Sequence, residues 1–322
     1  MNGDVKIYVA GHRGLAGSAL VRRLRAKGHE NLVLRTHAEL DLLDPAAVRR
    51  FFAAERPEYV LLAAAKVGGI LANDTHPAEF IQQNLAIQTN VIHEAWRAGV
   101  KRLLLLGSSC IYPRECPQPM KEEYLLTGPL ESTNRAYAVA KIAGIEMCRS
   151  YNRQYGTHFV AVMPTNLFGP GDNYDLESSH VLPALIRKAH EAKQRGDKQM
   201  LVWGSGNPRR EFLYSDDMAD ACVFLLALPD ERFGELVARD ALPLVNIGVG
   251  KDITIAELAG LIAEIVGFDG RFVYDTTKPD GTLRKVLDVS RLAALGWKPQ
   301  IGLRKAVALA YEDFVTSHHT SA

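Results

Sequence analysis

Cysteine is scarce in this chain of 322 residues: Cys110, Cys116, Cys148 and Cys222 are the only four. They form no Cys-x-x-Cys pair and no spacing that a zinc site needs, so no structural metal is expected. Disulfide frameworks belong to oxidising compartments, and so few thiols predict a reduced, cytoplasmic protein. No apolar run approaches the roughly 18 residues of a membrane span, and no basic-then-apolar leader precedes the first strand-like segment. No membrane contact is expected. Net charge is also nearly missing, since 38 Lys and Arg against 37 Asp and Glu leave +1. A nucleic-acid binder would carry a clear excess of cations. The one basic stretch, Arg22 to Lys27, lies in a helical pattern and reads as a solvated face. Repeats and low-complexity segments are absent. What remains is a chain with 47% hydrophobic residues, enough for one large or two ordinary cores.

The chain opens on a strand candidate, Val5 to Ala10, β-branched and aromatic. Gly11, Gly14 and Gly17 follow at three-residue spacing, ahead of a helix over Leu15 to Lys27. Strand, glycine turn and helix form the context of a dinucleotide fingerprint. Gly11 suits the tight turn, Gly14 lets backbone approach a pyrophosphate, and Gly17 allows close packing of helix on strand. The helix N-terminus, with free N–H groups, would receive the pyrophosphate. A second strand, Asn31 to Leu34, ends in Arg35-Thr36-His37, without the acid that would hold the ribose 2′-hydroxyl of NAD. Arg13 and Arg35 suit the 2′-phosphate of NADP(H) instead. Asp41 is a candidate acceptor for the adenine amino group, and Asp44, ahead of Pro45, reads as a helix N-cap.

Further strands are expected at Tyr59–Leu62, Arg102–Gly107 and His158–Met163, alternating with helices that begin near Pro77 and Thr133. The rhythm is that of a doubly wound α/β fold, a parallel Rossmann sheet. It predicts an NADP-binding domain over residues 1–170, with segments near 212–228 and 244–250 returning to it. From about Gly171 glycine, proline and polar residues break shorter elements, so residues 171–322 read mainly as a smaller, interleaved C-terminal substrate domain. Ser108, Ser109 and Cys110 emerge from the carboxyl end of the fourth strand, where such sheets do their chemistry. A strand-like backbone there would turn Ser108 and Cys110 to the same side. Tyr137 and Lys141 stand one helical turn apart, so an ammonium can bring a phenol toward the working range of a proton donor. Taken alone, such a pair is as well read as an exposed helical pair.

Together, Gly11-x-x-Gly14-x-x-Gly17, Ser108, Tyr137 and Lys141 resemble the extended short-chain dehydrogenase/reductase superfamily. Ala63 to Ile70, Gly107 to Pro113, Tyr137 to Gly144, Met163 to Gly169, Trp203 to Gly206, Arg210 to Phe212 and Lys278 to Gly281 narrow the resemblance to its GDP-L-fucose synthase family. The resemblance implies conversion of GDP-4-dehydro-6-deoxy-D-mannose to GDP-L-fucose by 3,5-epimerisation and NADPH-dependent reduction at C4. Carried over by position, it makes Tyr137 the acid at the C4 oxygen, with Lys141 and Ser108 beside it. Cys110 and His180 become base and acid of epimerisation. The cofactor would lie along Gly11, His12, Arg13, Gly14, Leu15, Ala16, Gly17, Arg35, His37, Asp41 and Leu42. Leu106, Gly107, Ser108, Ser109, Lys141, Pro164, Thr165, Asn166, Leu167 and His180 would complete its site. Lys188, Trp203, Arg210 and Asp280 would hold the GDP-sugar, and two copies would form a homodimer. Read without the resemblance, Trp203 is ordinary core, Lys188 a solvated charge and His180 a helix cap. His37 stands where the family often has a second basic residue, and imidazole grips a 2′-phosphate more weakly. Related 4-epimerases and 4,6-dehydratases normally want an acid after the second strand. Dehydratases also commonly place Asp-Glu where this chain has Ser109-Cys110. A non-catalytic NADP sensor would be expected to lack the tyrosine or the lysine.

Overall fold

The computed structural model of the protein describes residues 4–319 except 177 and 279, so Pro279 of the Lys278–Gly281 motif lies outside the described residues. In chain order the strands are β1 (Ile7–Ala10), β2 (Leu32–Val33), β3 (Tyr59–Leu62), β4 (Arg102–Leu106), β5 (Phe159–Pro164), β6 (Asn166–Phe168) and β7 (Gln199–Trp203). They continue with β8 (Arg209–Arg210), β9 (Phe212–Tyr214), β10 (Leu244–Ile247), β11 (Ile253–Thr254), β12 (Arg271–Asp275) and β13 (Arg284–Lys285). The helices are α1 (Leu15–Ala26), α2 (Pro45–Glu55), α3 (Ile70–Thr75), α4 (Pro77–Arg97), α5 (Arg135–Tyr155) and α6 (Val181–Arg195). After them come α7 (Ser215–Ala227), α8 (Asp230–Val237), α9 (Ile255–Val266), α10 (Ser290–Ala294) and α11 (Leu303–His319).

Six parallel strands form the central sheet in the order β10-β5-β4-β3-β1-β2. Helices cover both faces, which is why β1, β4, β5 and β10 are buried throughout, nearly all apolar, rather than alternating. One face packs on α1, α7 and α8 through Leu20, Met218 and Phe233. The other packs on α2, α4 and α5 through Phe52, Ile92 and Ile145. The strand order reverses at β1, with β2 on one side and β3 on the other. A crevice therefore opens beyond the carboxyl ends of β1 and β3. Asp44 does cap α2, accepting from the N–H groups of Ala46 and Ala47 ahead of a proline at the first helical turn.

The later part of the chain is assembled differently. A third core joins α6, α9 and α11 around Ile186, Leu258 and Val307. Its strands form small sheets: β11-β8-β13, β12-β7 and β6-β9. The sequence reading identified no element between Val266 and Leu303, where β12, β13 and α10 stand. β13, with two residues, and α10, with five, are too short to show periodicity, and β12 is largely exposed, without a buried apolar face.

Candidate functional site

β1 runs into Gly11, whose φ of 81° belongs to the left-handed region that favours glycine. A Cβ on Gly11 would lie 2.7 Å from the backbone N of Ala64, and one on Gly17 only 2.0 Å from the Gly11 carbonyl oxygen. The turn closes by Gly14 N–H donating to the Gly11 oxygen at 3.1 Å. Gly14 is different: the nearest atom to its Cβ position is 3.6 Å away, so its missing side chain leaves space rather than avoiding a clash. It starts α1 with no side-chain cap and no acid in the first turn, so the first N–H groups of that helix are left to an anion. The Nδ1 of His12 is buried beside them without a partner, and burial with the Arg13 charge holds that imidazole below its ordinary pKa. A cradle of this shape and polarity fits the pyrophosphate of a dinucleotide, over Leu15 and Ala16.

The rim also holds an acid beyond the Arg35-Thr36-His37 end of the strand: Glu39 folds back and accepts from Thr36 N (2.7 Å) and Thr36 Oγ1 (2.8 Å). These bonds, with Arg35 and Arg13 nearby, keep its carboxyl below the usual range. The turn brings round an acid that stands four positions beyond Arg35 in the chain. Arg35 is itself engaged, donating to Glu55 Oε1 at 2.5 Å and to the Leu34 carbonyl at 2.9 Å. Arg13 is exposed and has no ion pair among the described residues. His37 is exposed as well. One oxygen of Asp41 accepts from Leu43 N at 2.9 Å, and Leu42 packs at the edge of the core.

Opposite this cradle, β4 delivers Leu106 and Gly107; a Cβ on Gly107 would lie 1.8 Å from Met163 Cε. Ser108 is extended, but the chain then winds into a 3-10 turn over Ser109–Ile111. The expected strand alternation does not carry Cys110; the turn does. The Ser108 hydroxyl lies close enough to the Cys110 thiol and the Tyr137 phenol to hold both below where burial alone would put them. Tyr137 stands on α5 with its ring edge-on to Phe80, centroids 6.2 Å apart. Burial pushes the phenol well above its ordinary value, and Ser108 is the group that opposes this. Lys141 does not: its Nζ lies 5.7 Å from the Tyr137 ring centroid and donates to the Leu106 carbonyl at 2.9 Å. Burial lowers the Lys141 ammonium to about 8. Burial likewise raises the Cys110 thiol, against the Lys285 and Lys141 charges and the Ser108 hydroxyl.

His180 precedes α6 and is exposed, yet recessed enough for desolvation to hold its imidazole below the ordinary value. No hydrogen bond ties its ring to Ser108, Cys110 or Tyr137 among the described residues. A chain of contacts connects the regions instead. A Cβ on Gly69 would lie 3.8 Å from Ser178 O, and one on Gly68 3.1 Å from Phe80, the ring that abuts Tyr137.

On the far wall Trp203 is 50% exposed, so it is not core. Lys188 and Lys278 place their Nζ atoms 4.6 and 5.3 Å from its ring centroid. Asp280 is a clasp in this structure: its carboxylate accepts from Ser205 N and Ser205 Oγ, both at 2.7 Å. Arg210 bonds the carbonyls of Arg209 (2.8 Å) and Asp280 (3.4 Å). Two residues here carry no assignment from the sequence. Glu211, fully buried, accepts from the N–H groups of Val249 (2.6 Å), Gly250 (2.7 Å) and Leu287 (2.8 Å). Its own carbonyl accepts from Thr165 Oγ1 and Asn166 Nδ2, so these two cofactor candidates, between Pro164 and Leu167, are tied to the substrate wall. Lys285 pairs in register with Arg210, and its charge opposes the rise of the Cys110 thiol. The only signal for Glu211 was its place in the Arg210–Phe212 motif, and for Lys285 there was none.

The NAD dependent epimerase/dehydratase family profile matches residues 7–238. GDP-L-fucose synthase 1 from Arabidopsis thaliana is 58% identical over 312 residues, covering 97% of this chain and 94% of that protein. GDP-L-fucose synthase from Escherichia coli (strain K12) is 54% identical over 310 residues, covering 96% of each. Among solved structures, a GDP-mannoheptose C4 reductase from Campylobacter jejuni with NADP bound superposes with a TM-score of 0.89. It is 40% identical, with 98% of this chain and 99% of that one covered. With a dinucleotide cradle, a Ser–Tyr–Lys centre and full-length identity above one half, the chain belongs to the GDP-L-fucose synthase family of the extended short-chain dehydrogenase/reductase superfamily.

Proposed function

We propose that the chain converts GDP-4-dehydro-6-deoxy-D-mannose to GDP-L-fucose, inverting C3 and C5 and then reducing C4 with NADPH. The observation that carries this reading is the 3-10 turn of Ser109–Ile111 packed against α5, which sets Ser108 and Cys110 beside Tyr137. C3 and C5 flank the C4 ketone, so removing either proton leaves negative charge on the C4 oxygen. Ser108 and Tyr137 are the donors for that oxygen in both chemistries. Cys110 and His180 exchange protons with carbon, the one as base and the other as acid. Tyr137 gives its proton to the C4 oxygen, and Lys141, held by the Leu106 carbonyl, lies within reach of a nicotinamide ribose. NADPH, when bound, supplies the hydride. Its pyrophosphate lies on the glycine turn and the α1 N-terminus, and Arg13 is the free cation for the 2′-phosphate. Arg210 and Lys188 meet the substrate phosphates, and Trp203 offers its face to the base once a lysine moves aside.

Residues 1–170, with the returning segments that hold α7 and β10, form the cofactor half, and the remainder forms the substrate half. Two copies pair through α4 and α5; support comes from the exposed apolar Val139 and Tyr155 on α5. All four cysteines are free, which suits the reducing cytoplasm. Among the described residues no helix is long and apolar enough to cross a membrane.

The test is incubation of the purified protein with NADPH, in deuterated water, across a panel of 4-keto sugar nucleotides. GDP-4-dehydro-6-deoxy-D-mannose should be consumed with deuterium at C3 and C5. Tyr137→Phe should cut NADPH oxidation by about 10²–10⁴-fold, while Cys110→Ser abolishes deuterium entry and spares NADPH affinity. Wild-type exchange at both carbons in Cys110→Ser would sink the role given to the thiol.

A further inference from the structure

The parallel register of β1 and β2 decides what stands beside the glycine turn. Ile7 pairs with Leu32 and Tyr8 with Val33, and the same register carried on along both chains sets Thr36 level with Gly11. Thr36 offers two donors there, its N–H and its hydroxyl, at the end of the strand where this kind of fold reads the 2′ position of the adenine ribose. Neither donor is open. A single oxygen, Glu39 Oε2, accepts both, at 2.7 and 2.8 Å. The turn that brings the acid back is closed by Glu39 N and Leu40 N on the Thr36 carbonyl, at 3.1 and 2.9 Å. Thr36 and Glu39 thus have the spacing of a capping box, with its acidic arm made. The cations of the rim divide. Arg35 is spent on Glu55 and the Leu34 carbonyl, and Lys6 is shared with the same glutamate at 3.5 Å. Arg13, on the glycine turn, and Glu39 are both exposed, and neither has an ion pair among the described residues. A carboxylate therefore rests on the donors that face the place of a phosphate. A 2′-hydroxyl arriving there can donate to that carboxylate, whereas a 2′-phosphate meets a like charge.

We propose that Glu39 is a specificity-determining residue for the cofactor: its carboxylate holds the Thr36 donors against the 2′-phosphate and narrows the preference for NADPH over NADH that Arg13 creates. NADPH has to draw the Thr36 N–H and hydroxyl away from Glu39 or lie beside its charge, and each costs affinity that NADH keeps. Arg13 pulls the other way, so the balance of the two residues sets the preference. This role requires NADP(H) as cofactor but not the sugar chemistry proposed above, and binding reads it without turnover.

The experiment is titration calorimetry on the full chain with two pairs of probes, NADP+ against NAD+ and 2′,5′-ADP against 5′-AMP, each pair differing only by the 2′-phosphate. Glu39→Gln keeps an oxygen for the Thr36 donors and removes only the charge, so the turn keeps its cap. It should tighten NADP+ and 2′,5′-ADP by about three- to tenfold, the range of a solvent-screened like charge a few ångströms from a phosphate. NAD+ and 5′-AMP should stay within about twofold, and the gain should shrink as salt rises from about 50 to about 500 mM. Glu39→Asp keeps the charge and should stay near the wild type for all four probes. Unchanged or weaker NADP+ binding in Glu39→Gln would overturn the proposal and leave the carboxylate as a turn cap. Equal tightening of NADP+ and NAD+ would overturn it as well, since that is relief of a repulsion felt by the pyrophosphate. A wild-type chain that bound neither dinucleotide would refute the cofactor site and the proposal with it. A failed panel of 4-keto sugar nucleotides with these affinities intact would refute only the activity.

Discussion

The cofactor half and the substrate half solve the same task, holding polar groups around a ligand, by opposite means. In the first, backbone does the work. Gly11, Gly14 and Gly17 act within seven residues of chain, through a positive φ, a clearance of 3.6 Å and a contact that no side chain would survive. In the second, side chains clasp distant backbone. Asp280 reaches Ser205 across 75 positions, Glu211 reaches Leu287 across 76, and Asp252 holds Arg209 and Arg284 across 43 and 32. A local solution is rigid because few dihedrals separate its parts. A long-range one is rigid only while each clasp is closed.

Glu211 is where the comparison breaks most easily, because its carboxylate latches the substrate wall while its carbonyl holds Thr165 and Asn166. Glu211→Ala leaves three buried N–H donors without their acceptor and should cost about 3 kcal/mol. Urea unfolding would measure this, and an unchanged midpoint would show the clasp to be ornamental. Next in size is the glycine turn. Gly17→Ala drives a methyl into backbone that cannot yield, at a cost of about 2–3 kcal/mol. Gly14→Ala, with room for its methyl on the cradle side, should keep the unfolding midpoint and weaken NADPH about tenfold or more. Calorimetry on both variants would separate folding from binding, and equal effects on stability would contradict the division of labour between the two glycines.

The effect that is smallest at any one pH step is a dependence on pH. Lys141 is 3% exposed, and burial lowers its pKa from 10.5 to about 8. Between those values the unfolded chain keeps a proton that the folded chain has released, so stability rises with pH across that window. Below about 8 both states hold the proton and the contribution is flat. The rise is at most about 1.4 kcal/mol per pH unit, and Lys141→Met should remove it in unfolding measured at pH 7, 8, 9 and 10. Lys188, half-buried against Trp203, should show the same sign with a smaller slope. A steeper slope for Lys188 would reverse the expected contrast between the two halves.

The sequence by itself determined the parallel sheet, the glycine turn, the Asp44 cap and the helix that presents Tyr137 and Lys141. Each rests on short spacing: strand runs buried on both faces, glycines three apart, a cap next to a proline, a pair one helical turn apart. Tertiary structure alone decided the rest. It folded Glu39 back beside Arg35, gave Arg35 to Glu55, turned Cys110 inward on a 3-10 turn and closed Asp280 on Ser205. It also set Lys285 in register with Arg210. Asp280 with Ser205 and Lys285 with Arg210 join residues tens of positions apart through hydrogen bonds or a two-residue strand, while the Glu39 and Cys110 turns are local but have no periodic signature. Neither periodicity nor composition carries a trace of a contact that exists only once two remote segments have been packed together.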